Sequence, residues 1–110
     1  MARTLITVPP NPKRNSVIEI RALIQHPMET GFRPDAEGKL QPRNIIQQFE
    51  CRFSSGAKSD LIFNAELFPA ISANPYIAFN FRATQSGTLS FKWSGDNGFT
   101  QTETVALIVV

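Results

Sequence analysis

The residues that could do chemistry in this chain are few, so each can be weighed singly. His26 and Cys51 are the only members of their kinds among 110 residues. A Cys–His nucleophile pair needs an accessible thiolate beside a basic neighbour. Cys51 instead alternates in phase with Phe49 and Phe53, which predicts a small buried hydrophobe. His26 stands just before Pro27, where a structural hydrogen bond to the adjoining loop is its expected role. Glu29 and Asp35 share one loop and read as solvated carboxylates rather than an acid pair. Asp96, between Gly95 and Asn97, lacks the repeated ligands of a calcium loop, and the Asn97-Gly98 pair predicts a tight hairpin turn there. One cysteine rules out an internal disulfide and a cysteine-based zinc cluster. No glycine-rich phosphate cradle and no nucleophile elbow is present. No catalytic residue, metal ligand or cofactor site is therefore expected.

The elements that would position these residues are strands. Ile18, Ile20, Ala22 and Ile24 alternate with polar residues between Val17 and Gln25. The same period of two runs from Ile45 to Phe53, from Ile77 to Ala83, and from Thr88 to Trp93. Weaker strands are expected at Thr4–Val8, Leu61–Glu66 and Thr100–Val110. Prolines 9, 10 and 12 and the polar turns at 54–56, 85–87 and 96–98 punctuate them. The stretch 27–44 reads as irregular or a short hairpin, with single helical turns conceivable at Pro42–Ile46 or Phe68–Ala73. Short strands at this spacing predict one domain, residues 1–110, an immunoglobulin-like antiparallel β-sandwich, with a small β-barrel as the alternative.

Composition narrows the partner classes. Net charge is +2, with the cations spread along the chain rather than gathered beside exposed aromatics, which argues against a nucleic-acid reader. No apolar run approaches the ~20 residues of a membrane helix, and the N-terminal stretch shows no signal-peptide pattern. Two apolar features ask for cover. Val105–Val110 is apolar on both phases of a strand, so either a partner chain or a loop must shield its second face. Leu67-Phe68-Pro69-Ala70-Ile71 is apolar for a surface connection. Met28 and Phe32, flanked by Glu29 and Arg33, either dock a partner or fold inward to cap the sandwich.

The loops carry a resemblance. His26-Pro27-Met28-Glu29-Thr30-Gly31-Phe32-Arg33, followed by Asp35, Gly38 and Pro42–Ile46, is similar to the SoxZ family. So are Leu67–Ile71 with Ala73-Asn74-Pro75-Tyr76, Ser86–Leu89 with Phe91 and Trp93, and Gly95–Gly98. The match runs from about Leu5 to Val110. The resemblance implies an immunoglobulin-like, non-enzymatic subunit that forms a heterodimer with a SoxY-like carrier. That carrier's C-terminal arm ends in Gly-Gly-Cys-Gly-Gly and holds sulfur intermediates covalently during thiosulfate oxidation, while the Sox enzymes dock in turn. This chain ends in Ala-Leu-Ile-Val-Val and so resembles the subunit that carries no substrate. The resemblance also implies a periplasmic location, reached by export together with the partner. Residues nominated for partner binding are Met28, Glu29, Phe32, Arg33, Phe68 and Ile108. The competing readings are a stand-alone immunoglobulin-like adhesion or chaperone module, and an enzyme built on Cys51 and His26.

Overall fold

The alternation of β-branched and aromatic residues is realised as seven strands in a computed structural model that describes residues 2–110. They are β1 (Thr4–Thr7), β2 (Ser16–Ile24), β3 (Ile46–Ser55), β4 (Lys58–Glu66), β5 (Tyr76–Ala83), β6 (Gly87–Gly95) and β7 (Thr100–Leu107). Two antiparallel sheets result, in the orders β1-β2-β5 and β4-β3-β6-β7, and they form the expected immunoglobulin-like sandwich. No helical turn forms at Pro42–Ile46, and at Phe68–Ala73 the chain closes only an isolated turn, Ile71 N–H donating to Phe68 O. Among the described residues the one 3-10 turn is at Asp96–Gly98, where Asn97 (φ 61°) and Gly98 (φ 72°) supply the left-handed backbone of the β6–β7 hairpin.

Each strand turns its apolar phase inward. Ile18, Ile20, Ala22 and Ile24 from β2 meet Phe49, Cys51 and Phe53 from β3 and Leu89, Phe91 and Trp93 from β6, all buried. Phe49 lies 5.2 Å from Trp93, and Phe53 lies 5.3 Å from Phe81. Aromatic rings thus interleave with isoleucines and leucines in the core between the sheets.

The two flanks of the sandwich are closed differently. On the β1/β7 flank, the Gln101 amide donates to the Ala2 carbonyl (2.8 Å) and accepts from the Ala2 N–H (3.0 Å). Farther along that flank, Val110 N–H donates to Pro12 O, and Arg14 N–H donates to Val110 O. The strand expected to run to Val110 therefore ends at Leu107, and the tail leaves β6 to bond this proline segment. On the other flank, β4 and β5 are both free edges, joined by Phe63 and Phe79 stacked 4.5 Å apart. Strand β4 carries a bulge, a register shift between Leu61 and Phe63, which twists that edge and discourages uncontrolled pairing.

Candidate partner-binding end of the sandwich

The stretch between β2 and β3 is an ordered two-legged ribbon. Glu29 and Asn44 exchange both backbone hydrogen bonds at 2.8 Å, Gln41 N–H donates to Arg33 O, and Pro34 pairs with Leu40. At the tip, Asp35 Oδ1 accepts the Glu37 and Lys39 amides. Glu29 and Arg33 form an ion pair on one leg, Nη2 to Oε1 at 2.6 Å. The Arg33 guanidinium holds the Glu29 carboxyl below the usual carboxylate range. The molecule measures 58 × 23 × 21 Å, much longer than a rounded domain of this length.

The ribbon is fixed at its root by two side chains. His26 is buried; its Nδ1 accepts the Met28 N–H at 3.0 Å, and its ring meets Phe99 edge-on at 5.2 Å. Asn74 brackets His26 on both sides: Asn74 Oδ1 accepts the His26 N–H, and Asn74 N–H donates to His26 O. The second fixing point is Asp96. Its carboxylate accepts from Arg43 Nε (2.9 Å) and Nη2 (2.8 Å), from Ile45 N–H (3.1 Å) and from Gln47 Nε2 (2.8 Å). Arg43 first, then the Ile45 amide, holds this carboxyl below the usual range. Asp96 thus does more than the turn its neighbours implied: it ties the returning leg of the ribbon to the β6–β7 hairpin. Gly95 allows that approach, because a Cβ there would lie 2.2 Å from Ile45 O.

The nominated residues divide. Met28 faces inward and is 4% exposed, with its Sδ accepting the Ile46 N–H at 3.3 Å. As an expected surface anchor it is corrected to a core residue. Its positive φ of 49° and the bond to His26 turn the side chain under the ribbon. Phe32 is 78% exposed on the ribbon, so one loop holds both a cap and an outward ring. Phe68 is 60% exposed at the rim of a cleft of about 320 Å³ lined by Arg43, Gln47, Gln48 and Leu67–Pro69. The strand ends place Glu29, Phe32, Arg33 and Phe68 at one end of the sandwich, together with exposed Leu5, Leu40 and Tyr76. Ile108 is exposed too, but at the opposite end, beside Val8–Asn11. The Leu5–Leu23–Tyr76 row across the outer face of the short sheet escaped the sequence reading. Register alone brings these three together.

Cys51 is wholly buried between Phe63 on β4 and Phe91 on β6, and desolvation pushes its thiol up to about 12. A thiol so held stays protonated and closed to substrate. Among the described residues, no group of three His, Cys, Asp or Glu side chains could hold a metal ion.

Solved structures share this fold. Superoxide reductase (neelaredoxin) from Ignicoccus hospitalis aligns at TM-score 0.75 and 14% identity, over 99% of this chain and 82% of the reductase. The sulfur carrier protein SoxY from Chlorobium limicola f thiosulfatophilum aligns at TM-score 0.68 and 10% identity, over 97% of this chain and 78% of SoxY. At such identities the likeness is one of fold. No curated protein sequence matches the chain. The description "Sulphur oxidation protein SoxZ" matches at residues 6–106, a span that includes the ribbon, the Asp96 hub and every strand but the ends of β1 and β7. This chain belongs to the SoxZ family of sulphur oxidation proteins.

Proposed function

We propose that this chain is the non-catalytic subunit of a heterodimeric sulfur-carrier complex, pairing with a SoxY-like subunit that holds sulfur intermediates on a C-terminal cysteine. It stabilises that carrier and offers part of the surface on which the enzymes of thiosulfate oxidation dock. The observation that carries the reading is the SoxZ match over nearly the whole chain, in a protein whose single thiol is sealed in the core. A buried, protonated thiol supports a chain that acts through a partner rather than bearing sulfur itself. The ribbon end is the surface we assign to the partner, since Phe32 and Leu40 on the ribbon, Phe68 at the cleft and Tyr76 at the start of β5 are all exposed there. We place the complex in the periplasm, with this subunit exported alongside its partner; cell fractionation with the partner present and absent checks that location.

The test is co-expression with a SoxY-like protein, followed by native mass measurement and titration of the separated subunits. A 1:1 complex that survives dilution, as an interface above ~1,200 Å² should, is the expected result. A chain that remains a 12.2 kDa monomer beside a folded carrier at micromolar concentration overturns the reading. Turnover by the isolated chain that is lost in Cys51→Ser would favour the enzyme reading instead.

A further inference from the structure

The root of the ribbon has an unusual dependence on one imidazole. The Met28 amide is held by His26 Nδ1, so the neutral ring carries its proton on Nε2. Met28 in turn sits in the left-handed region, with its side chain buried and its sulfur on the Ile46 amide. The next residue, Glu29, makes the first cross-ribbon pair with Asn44. Acceptor, turn and first rung follow one another with no slack between them. A second proton on Nδ1 would remove the acceptor and set one N–H against another.

We propose that His26 is a proton-sensitive latch: the neutral ring holds the ribbon in register, and protonation releases its root. The groups around the ring agree with that direction. Phe99, the Asn74 loop and the Met28 turn offer it no anion, and Asp96 is the charged group acting on it among the described residues. Asp96 is already neutralised by Arg43. Burial therefore holds the imidazole below its ordinary value, with Asp96 opposing weakly. The sign follows from linkage. A His whose folded pKa is lowered favours the closed form above about pH 6.5, and loses that preference as pH falls toward the folded value. Over that interval the open fraction of the ribbon rises by up to about tenfold per pH unit. Glu29 and Asp96 are held low by their arginines, so their titrations lie below this window. The exposed apolar residues Phe32 and Leu40 ride on the released segment. Its orientation, and with it the surface shown to a partner, becomes a function of acidity.

Amide hydrogen exchange of the full chain alone, resolved by NMR between about pH 7.5 and 4.5, tests the latch independently of any partner. The protection factors of Met28, Glu29 and Asn44 should fall on acidification below about pH 6.5, by up to about tenfold per pH unit, while those of Cys51 and Phe91 hold. In His26→Asn the shorter side chain can accept the Met28 amide as an Asx turn but cannot titrate, so its ribbon amides should keep their protection across the range. Unchanged wild-type protection at Met28 and Glu29 overturns the proposal. So does an equal acid-induced loss in His26→Asn. Should that variant fail to fold, the wild-type exchange profile still decides. Because the readout is the ribbon itself, failure here leaves the partner assignment untouched, and loss of the partner assignment leaves the latch standing.

Discussion

Met28 and Phe32 lie four residues apart in one loop, and their alanine variants should fail in opposite ways. Met28 is 4% exposed; Met28→Ala removes three buried heavy atoms, among them the sulfur that accepts the Ile46 amide. Methionine-to-alanine changes in a packed core cost about 2–5 kcal/mol, and a site beside a loop can partly collapse, so about 2–3 kcal/mol is the expectation. Ala tolerates positive φ no worse than Met, so backbone strain cancels between the two. For a domain of this length the unfolding entropy near the transition is about 0.23 kcal/mol/K, and each kcal/mol lost lowers Tm by about 4 °C. Met28→Ala should therefore melt about 10 °C below wild type by calorimetry or circular dichroism. Phe32 is 78% exposed, and Phe32→Ala should change stability by no more than about 0.5 kcal/mol. In the complex the order reverses: Phe32→Ala should weaken Kd by about 30-fold, as for a ring anchored in an interface, read by titration calorimetry. A Met28→Ala protein melting within about 2 °C of wild type would refute the capping argument. An unaltered Kd for Phe32→Ala would remove the ribbon from the interface.

Three further outcomes follow from the same geometry. Cys51 should resist alkylating reagents until the chain unfolds, and Cys51→Ala should cost on the order of 1 kcal/mol. Because the folded thiol titrates near 12, wild type should lose about 2 kcal/mol of stability between about pH 8 and 10.5 relative to Cys51→Ala, by urea unfolding at each pH. Asp96 is held below the usual carboxylate range, so its contribution is present above about pH 3.9 and fades as pH falls through the lowered value. Asp96→Asn should accordingly flatten the acid limb of the stability curve, and equal acid limbs would show the carboxylate is not the tie it looks to be. Phe68→Asp should weaken partner binding by tenfold or more, whereas Ile108→Asp, at the far end, should leave it unchanged in pull-down titrations. The reverse result moves the interface to the C-terminal end.

Much of the fold was legible because alternation is a local signal. Ile18 to Ile24, Phe49 to Phe53, Ile77 to Ala83 and Leu89 to Trp93 declare their inward phase within each strand, and the two sheets follow. The ribbon was less legible. Its pairing rests on Glu29 meeting Asn44 and Arg33 meeting Gln41, contacts between residues that show no alternation. Asp96 read as a plain turn residue because its partners, Arg43 and Gln47, lie about fifty positions earlier in the chain. The C-terminal run was overextended for a related reason: apolar content does not say where a strand leaves its neighbour. Ile108 to Val110 keep their β-prone chemistry, but β6 starts at Gly87, paired with Leu107, and offers no rung beyond it. Burial of Met28 beside an exposed Phe32 needed the positive φ at Met28, a backbone state its residue type does not announce.

The stapled flank also governs when the protein can become itself. Ala2 is held by Gln101, and Pro12 and Arg14 by Val110. The segments flanking the first strand therefore find these closing contacts about a hundred residues later in the chain. Contacts of such sequence separation form late and slowly, after the entropy of a loop spanning most of the chain has been overcome. Until β3 and β6 are made, β2 must wait with the inward row from Ile18 to Ile24 uncovered, a period in which holding by a chaperone or early capture by a partner would favour yield. A ribosome paused before β7 should leave a protease-sensitive chain, and adding the stretch through Val110 should confer resistance in a single step.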